Sequence, residues 1–165
     1  MHPIGVPGTV DTDYMGGISG RASPPNFRIG ALYRSLLAST KDSSLEGEFE
    51  VTLEATHHGP HTDLPACFVE IGSTEAEWGR ADAGELWADV LSEHYGGSGA
   101  FRDAATTAVV LIGGGHYCPK MGDVARMGEQ VAVGHILAQV SEQEQHTTAT
   151  RPCCCNPSNT TRILH

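Results

Sequence analysis

Three histidine-bearing segments and one acidic one stand beside apolar, β-prone runs. Histidine is the side chain that can ligate a metal, accept a proton from water or orient a neighbour near neutral pH. The first segment, Glu54-Ala55-Thr56-His57-His58-Gly59-Pro60-His61, follows a run with strand character, and the carboxyl ends of strands are where open α/β sheets bind ligands. Adjacent residues of an extended chain point to opposite faces, so His57 and His58 share a site only if the chain turns between them, which Gly59-Pro60 permits. Glu54 or Glu70 could fix the tautomer of such an imidazole. A histidine satisfied within a turn is the competing reading.

The second segment is Phe68-Val69-Glu70-Ile71-Gly72-Ser73-Thr74, where a carboxylate sits between apolar neighbours. An unpaired buried charge costs several kcal/mol, on the order of the buried-ion penalty, so Glu70 needs a metal ion, a histidine or a helix N-terminus beside it unless it faces water from an edge strand. The third, Gly113-Gly114-Gly115-His116-Tyr117-Cys118-Pro119-Lys120, places three glycines after an apolar strand. Backbone N–H groups there could form an anion nest or oxyanion hole, and Lys120 could meet a phosphate or carboxylate. Neither nucleotide-binding glycine motif is present. The fourth, Gly134-His135-Ile136, puts a histidine in an apolar stretch. His57, His58, Glu70, His116 and His135 together make a donor set suited to zinc, whose catalytic sites use three protein ligands and one water.

These residues must be positioned by an α/β arrangement. Residues 1–26 are rich in proline and glycine and read as loop. Apolar residues from Phe27 to Leu37 fall at helical spacing, with polar residues through Lys41 ending the helix. Phe49–Ala55 and Ala66–Ile71 read as strands. Thr74 and Glu77 fit a capping box that opens one helix running to Tyr95. Thr106–Ile112, apolar and β-branched on both faces, predicts a buried central strand, whereas Val131–Val140 is too short to assign. The order helix, strand, strand, helix, strand predicts an α/β layer fold in one domain over residues 1–140. Beyond Ser141, few apolar residues and no period predict a disordered tail containing Cys153, Cys154 and Cys155.

Composition narrows the function class. Of 165 residues, 10 are Lys or Arg and 20 are Asp or Glu, giving a net charge of −10 that argues against a DNA-coating surface. No apolar run approaches the ~20 residues of a membrane span, and the N-terminus lacks the layout of a signal peptide. The five cysteines show no C-x-x-C spacing, which predicts a reducing compartment. The expectation is a soluble, cytoplasmic protein. The 20 glycines exceed the usual share of ~7% and imply local backbone roles.

The strings EATHHGP, FVEI followed by GSTEAEW, IGGGHYCPK and VGHIL, in that order over residues 49–139, resemble the archaeal and plant type of D-aminoacyl-tRNA deacylase. The opening HPIGVPG and the helix around Leu32 look like family sequence too. The resemblance implies hydrolysis of the ester joining a D-amino acid to the tRNA 3′ acceptor end, a zinc cofactor, and an α/β/α sandwich with a mixed sheet, like that of phosphorylases and peptidyl-tRNA hydrolases. By motif, His57, His58, Glu70 and His116 carry over as catalytic residues. The same four with His135 carry over as metal ligands, and Gly113, Gly114, Gly115, Thr56 and Lys120 as substrate contacts. Spacing alone leaves open which histidines bind metal and which act on the ester.

The family's sequences start upstream of Met1, so its opening strands are expected to be missing, and the cysteine-bearing tail replaces its C-terminal portion. An exposed strand edge would follow, in a monomer or, alternatively, a dimer. A tRNA surface would have to come from Arg21, Arg28, Arg34, Lys41, Lys120 and Arg126. The alternatives are a hydrolase of another acyl- or peptidyl-tRNA-like ester, and an inactive truncated product. Chirality and tRNA dependence separate the first, and cooperative melting the second.

Overall fold

The computed structural model describes residues 1–8, 15–96, 107–128, 131–139 and 162–164. In chain order these form β1 (His2–Pro3), β2 (Gly5–Val6), β3 (Arg21–Ala22), α1 (Ile29–Lys41), β4 (Phe49–Val51), β5 (Cys67–Phe68) and β6 (Ile71–Gly72). There follow α2 (Glu75–Trp78), α3 (Ala81–Tyr95), β7 (Thr107–Ile112), α4 (Pro119–Arg126), β8 (Val131–Leu137) and β9 (Arg162–Leu164). The architecture is mixed α/β, as expected, with open sheets.

The extended stretch 49–57 is the axis of the molecule. Its first part, β4, pairs in parallel with β9, which pairs antiparallel with β6. Its second part is flanked by Met1–Ile4 on one side and β8 on the other: Glu54 N–H donates to Met1 O (3.1 Å) and Thr56 N–H to Ile136 O (2.7 Å). β1 continues the row to β5, with His2 opposite Phe68, and β8 continues it to β7 in parallel. Leu53, Val133, Ile136 and Leu164 are buried along these strands with Leu32 and Leu36 of α1 and Trp87 and Val90 of α3. The apolar spacing of α1 turns Ile29, Leu32, Tyr33 and Leu36 inward. α1 is tied to α3 by Ser35 Oγ and His94 Nε2, 2.8 Å apart, and by Arg28, which donates to His94 O.

Several elements differ from the sequence reading. Met1–Val6 is buried, not loop, and carries two strands of two residues each. Strands that short leave no period to detect. The capping box forms as expected, Thr74 accepting from Ala76 N–H while Glu77 accepts from Thr74 N–H and Oγ1–H. The helix it opens, however, ends at Trp78 and α3 begins separately at Ala81. Gly79 closes the first turn, and extended Arg80 reaches Glu48 and Asp82 instead of continuing the helix.

β8, not β7, is the buried strand. Val110 is 57% and Ile112 76% exposed, and among the described residues β7 pairs with β8 alone. β-branched composition on both faces reports a preference for the pleat, and only the neighbours decide whether a strand is covered. The Ala66–Ile71 run is interrupted at Val69–Glu70 into β5 and β6. The expectation of a tail without structure from residue 141 does not hold for Arg162–Leu164, which forms β9. Cys153, Cys154 and Cys155 lie outside the described residues.

Candidate metal and catalytic site

Four extended segments deliver imidazoles and carboxylates to one place. His2 comes from β1, Glu54 and His57 from the axial stretch, His58 from the turn just after it, Glu70 from the break between β5 and β6, and His116 from the turn before α4. Ala55 N–H donates to His116 O (2.9 Å) and Cys118 N–H to Leu53 O (3.0 Å), which fastens that turn beside Glu54. A parallel bridge between Ile4 and His57, with Gly5 N–H donating to His58 O (2.9 Å), holds β1 against the histidine pair.

The turn that lets neighbouring histidines share a site is made by His58 itself, with φ of +37° in the left-handed region. The His57 and His58 ring centroids are 4.5 Å apart, and His2 lies 3.9 Å from the first and 4.8 Å from the second. Gly59 is required next. A Cβ there would fall 2.2 Å from Gly17 N and 2.4 Å from Gly16 C, backbone atoms that cannot rotate away. Gly59→Ala is therefore expected to lower stability by about 1–3 kcal/mol through overpacking. A thermal melt within about 1 °C of the parent would contradict that close approach.

Hydrogen bonds fix how the rings are protonated. His2, His57 and His58 each place Nδ1 on a backbone carbonyl, of Pro3 (2.9 Å), Ala55 (2.8 Å) and Gly59 (2.5 Å) respectively. A carbonyl only accepts, so each Nδ1 carries the proton, and in a neutral ring Nε2 then offers a lone pair. Burial, outweighing the attraction of Glu54, lowers the His57 pKa to about 3, and burial lowers that of His58 too. These two rings are neutral at pH 7.

The Nε2 atoms of His57, His116 and His2 face carboxylates. Glu54, 2% exposed, lies 3.9 Å from His57 Nε2 and 3.8 Å from His116 Nε2, while His2 Nε2 is 3.3 Å from Glu70 Oε1. His2 Nε2 is within hydrogen-bond distance of Glu70, whereas the first two separations exceed a hydrogen bond, and the His57 lone pair is repelled by the anion opposite it. A cation between them reverses the sign. Two ligands about 2 Å from one ion are at most about 4 Å apart, so the spacing fits a metal. Three overlapping groups have donor atoms within 4.8 Å of one another: His2/His57/His58, Glu54/His57/His116 and His2/Glu54/Glu70. An N–H bonded to a carbonyl opposite a free nitrogen is also how metal-ligating histidines are usually oriented.

Of the residues singled out in the sequence, His57, His58, Glu70 and His116 come together here. His135 stands apart on β8, its Nδ1 3.2 Å from Thr56 Oγ1, and is in none of these groups. Thr56 is buried, its hydroxyl also accepting from Ile136 N–H (3.0 Å). Gly113 N–H is engaged by Leu137 O (2.8 Å), and Gly114 and Gly115 are exposed in the turn that precedes His116. Lys120 is exposed in the first turn of α4. On the same helix Arg126 pairs with Asp123, and Arg34 of α1 donates to Ala125 O (2.8 Å). Cys118 is buried, its pKa raised to about 11 by burial, with the thiol donating to Gly115 O. Burial thus favours its thiol form.

Two members were missed as ligands, His2 and Glu54. His2 had one signal, the family-like opening HPIGVPG, but no spacing ties residue 2 to residue 57. Glu54 was read as a tautomer-fixing group. The Phe68 ring, stacked on His2 at 5.3 Å and edge-on to His58 at 5.0 Å, walls the cluster.

Imidazoles and carboxylates gathered beside the strands of open α/β sheets make a donor cluster of the kind that could hold a metal ion. A family profile described as D-aminoacyl-tRNA deacylase matches residues 1–161. The D-aminoacyl-tRNA deacylase of Arabidopsis thaliana is 40% identical over 160 residues, 92% of this chain and 50% of that protein. Those of Thermoplasma volcanium and Pyrococcus horikoshii are 39% and 42% identical over 71% and 56% of this chain, and 41% and 33% of their own lengths. The chain belongs to the D-aminoacyl-tRNA deacylase family, and it spans half or less of the length of these relatives.

Proposed function

We propose that the chain hydrolyses the ester of D-aminoacyl-tRNA, releasing free D-amino acid and tRNA, with zinc held by Glu54, His57 and His116. The observation that carries this reading is the pair of imidazoles, neutral His57 and His116, whose Nε2 atoms face buried Glu54 within the matched family region. Zinc would supply Lewis-acid polarisation and a lowered water pKa there. The protein's residues do the rest. His58, neutral and with Nε2 unprotonated, accepts a proton from the attacking water. The water oxygen bonds to the ester carbonyl carbon, the bond to the ribose 3′-oxygen breaks, and the proton passes to that oxygen as tRNA leaves.

His2 and Glu70 extend the donor set on the far side of His57. The turn at Gly114–Gly115 and exposed Lys120 meet the developing oxyanion and the terminal phosphates. Thr56 with His135 positions the strand that carries His57. Pocket shape, with Phe68 as a wall, rejects the L-isomer by clash. The sheets and their helices are read as part of an α/β/α sandwich of the phosphorylase and peptidyl-tRNA hydrolase kind, working on the 3′ acceptor end in the cytoplasm.

Release of tyrosine from D-Tyr-tRNA, beside L-Tyr-tRNA and again after chelator treatment, tests the reading. D-selective, chelator-sensitive release with recovery on added zinc is expected. Equal release from both isomers replaces the substrate by another acyl ester. No release from a cooperatively melting protein removes the catalytic claim.

A further inference from the structure

We propose that the slot between β4 and β6 is a strand-acceptor site for an extended peptide with a basic residue followed by two aliphatic ones, and that Arg162–Leu164 is its resident, exchangeable occupant. The inference does not depend on the deacylase reading.

The pairing is two-sided. Phe49, Glu50 and Val51 stand opposite Arg162, Ile163 and Leu164 in parallel, while Ile71 and Gly72 oppose Leu164 and Ile163 in antiparallel. Without β9, β4 and β6 would present unpaired backbone edges to each other, which a bound strand satisfies. The side chains are selected as well. Leu164 is fully buried in the main core and Ile163 nearly so, while Arg162 stays at the rim between Glu48 (2.8 Å) and Glu77 (3.5 Å). An acidic mouth before an apolar slot fits a cation followed by two aliphatic residues.

Continuity with β1 gives the slot its consequence. β9 runs parallel to β4, and Ile4, just past β1, makes a parallel bridge to His57, so two separate chain segments lie end to end along the same axial stretch. They meet at Thr52, whose N–H donates to Leu164 O (3.1 Å) and whose carbonyl accepts from the Met1 amino group (3.3 Å). The joint has no covalent bond across it, so β9 can leave without breaking the chain of β1. A strand of three residues is at the short end of the natural range and belongs to the parts of a structure that open first. His2 follows the joint by one residue, so occupancy of the slot steadies the imidazole facing Glu70.

The test uses the full chain and a fluorescein-labelled peptide, Thr-Thr-Arg-Ile-Leu-His, followed by anisotropy and by hydrogen exchange at the Thr52 amide. In the full-length Leu164→Asp variant the resident strand is ejected. That variant is expected to bind the peptide at least ten-fold more tightly than the parent, with Thr52 protection lost and then restored by peptide. A peptide carrying Arg162→Glu should bind at least ten-fold more weakly, and Glu48→Arg in the protein should reduce that difference. A doubled mass with Thr52 protected supports the same acceptor site filled by the segment of a second copy. Equal peptide affinity for parent and variant, or Thr52 protection unchanged by Leu164→Asp, overturns the proposal. Should Leu164→Asp fail to fold, Arg162→Glu, a rim change, replaces it under the same outcomes.

Discussion

Replacing His57 by alanine is expected to lower D-aminoacyl ester release by about a thousand-fold, the middle of the range for losing a group that acts on the transition state, and to loosen the metal in the same protein. The effect follows from the position of His57. Its Nε2 belongs to two of the three donor groups, one with Glu54 and His116 and one with His2 and His58, so its removal opens both. It also leaves Glu54 buried opposite one imidazole instead of two.

His58→Ala separates the two roles. That change should slow release by about 10²- to 10⁴-fold while zinc, measured by competition with a chromogenic chelator, remains bound. Single-turnover release and the competition titration together check both variants. Release by the His57→Ala protein within three-fold of the parent would sink the assignment of the cluster as the active centre.

Acid should unfold this protein earlier than its carboxylates alone would. Burial lowers the Met1 amino pKa from 8.0 to about 5, outweighing the attraction of Glu54 and Glu70. Between pH 8 and 5 the unfolded chain therefore binds a proton there that the folded chain does not, and stability falls as pH falls through that window. At 1.36 kcal/mol per unit the loss approaches roughly 4 kcal/mol by pH 5, a large part of the ~5–15 kcal/mol that holds a domain together. His57, lowered from 6.5 to about 3, adds a loss of the same sign between pH 6.5 and 3. Asp82, held low by its bonds to Arg80, adds a further loss below pH 3.8. The urea midpoint measured at pH 8, 6.5 and 5 in metal-free buffer checks the sequence of events. Because His57 contributes only below 6.5, a flat midpoint from pH 8 to 6.5 would show that the amino group is not held neutral in the fold.

Much of the site's chemistry was legible one residue at a time. Histidines after β-prone runs, a carboxylate among apolar neighbours and a capping box are local patterns; His57, His58, Glu70 and His116 do cluster and the capping box forms, while His135 lies outside the cluster. The capping box is the clearest case, because its bonds join residues two or three apart and need no tertiary context. What misled was local pattern used as a proxy for surroundings. The apolar run of β7 predicts the buried strand and that of β8 is too short to assign, although their neighbours decide which is covered.

By its sequence alone this protein was determined to be an α/β chain of the D-aminoacyl-tRNA deacylase family, with four of its clustered donors, His57, His58, Glu70 and His116, at known positions. Motif residues and their order are properties of the chain and survive without coordinates. Only the tertiary structure decided that His2 and Glu54 complete the cluster, that His135 stands aside with Thr56, and that Arg162–Leu164 enters the sheet. The reason is sequence distance. His2 reaches Glu70 across 68 residues and Arg162 reaches Glu48 across 114. Such contacts are selected by which strand rows leave a backbone edge to pair and a core to fill, a condition that no window of neighbouring residues contains.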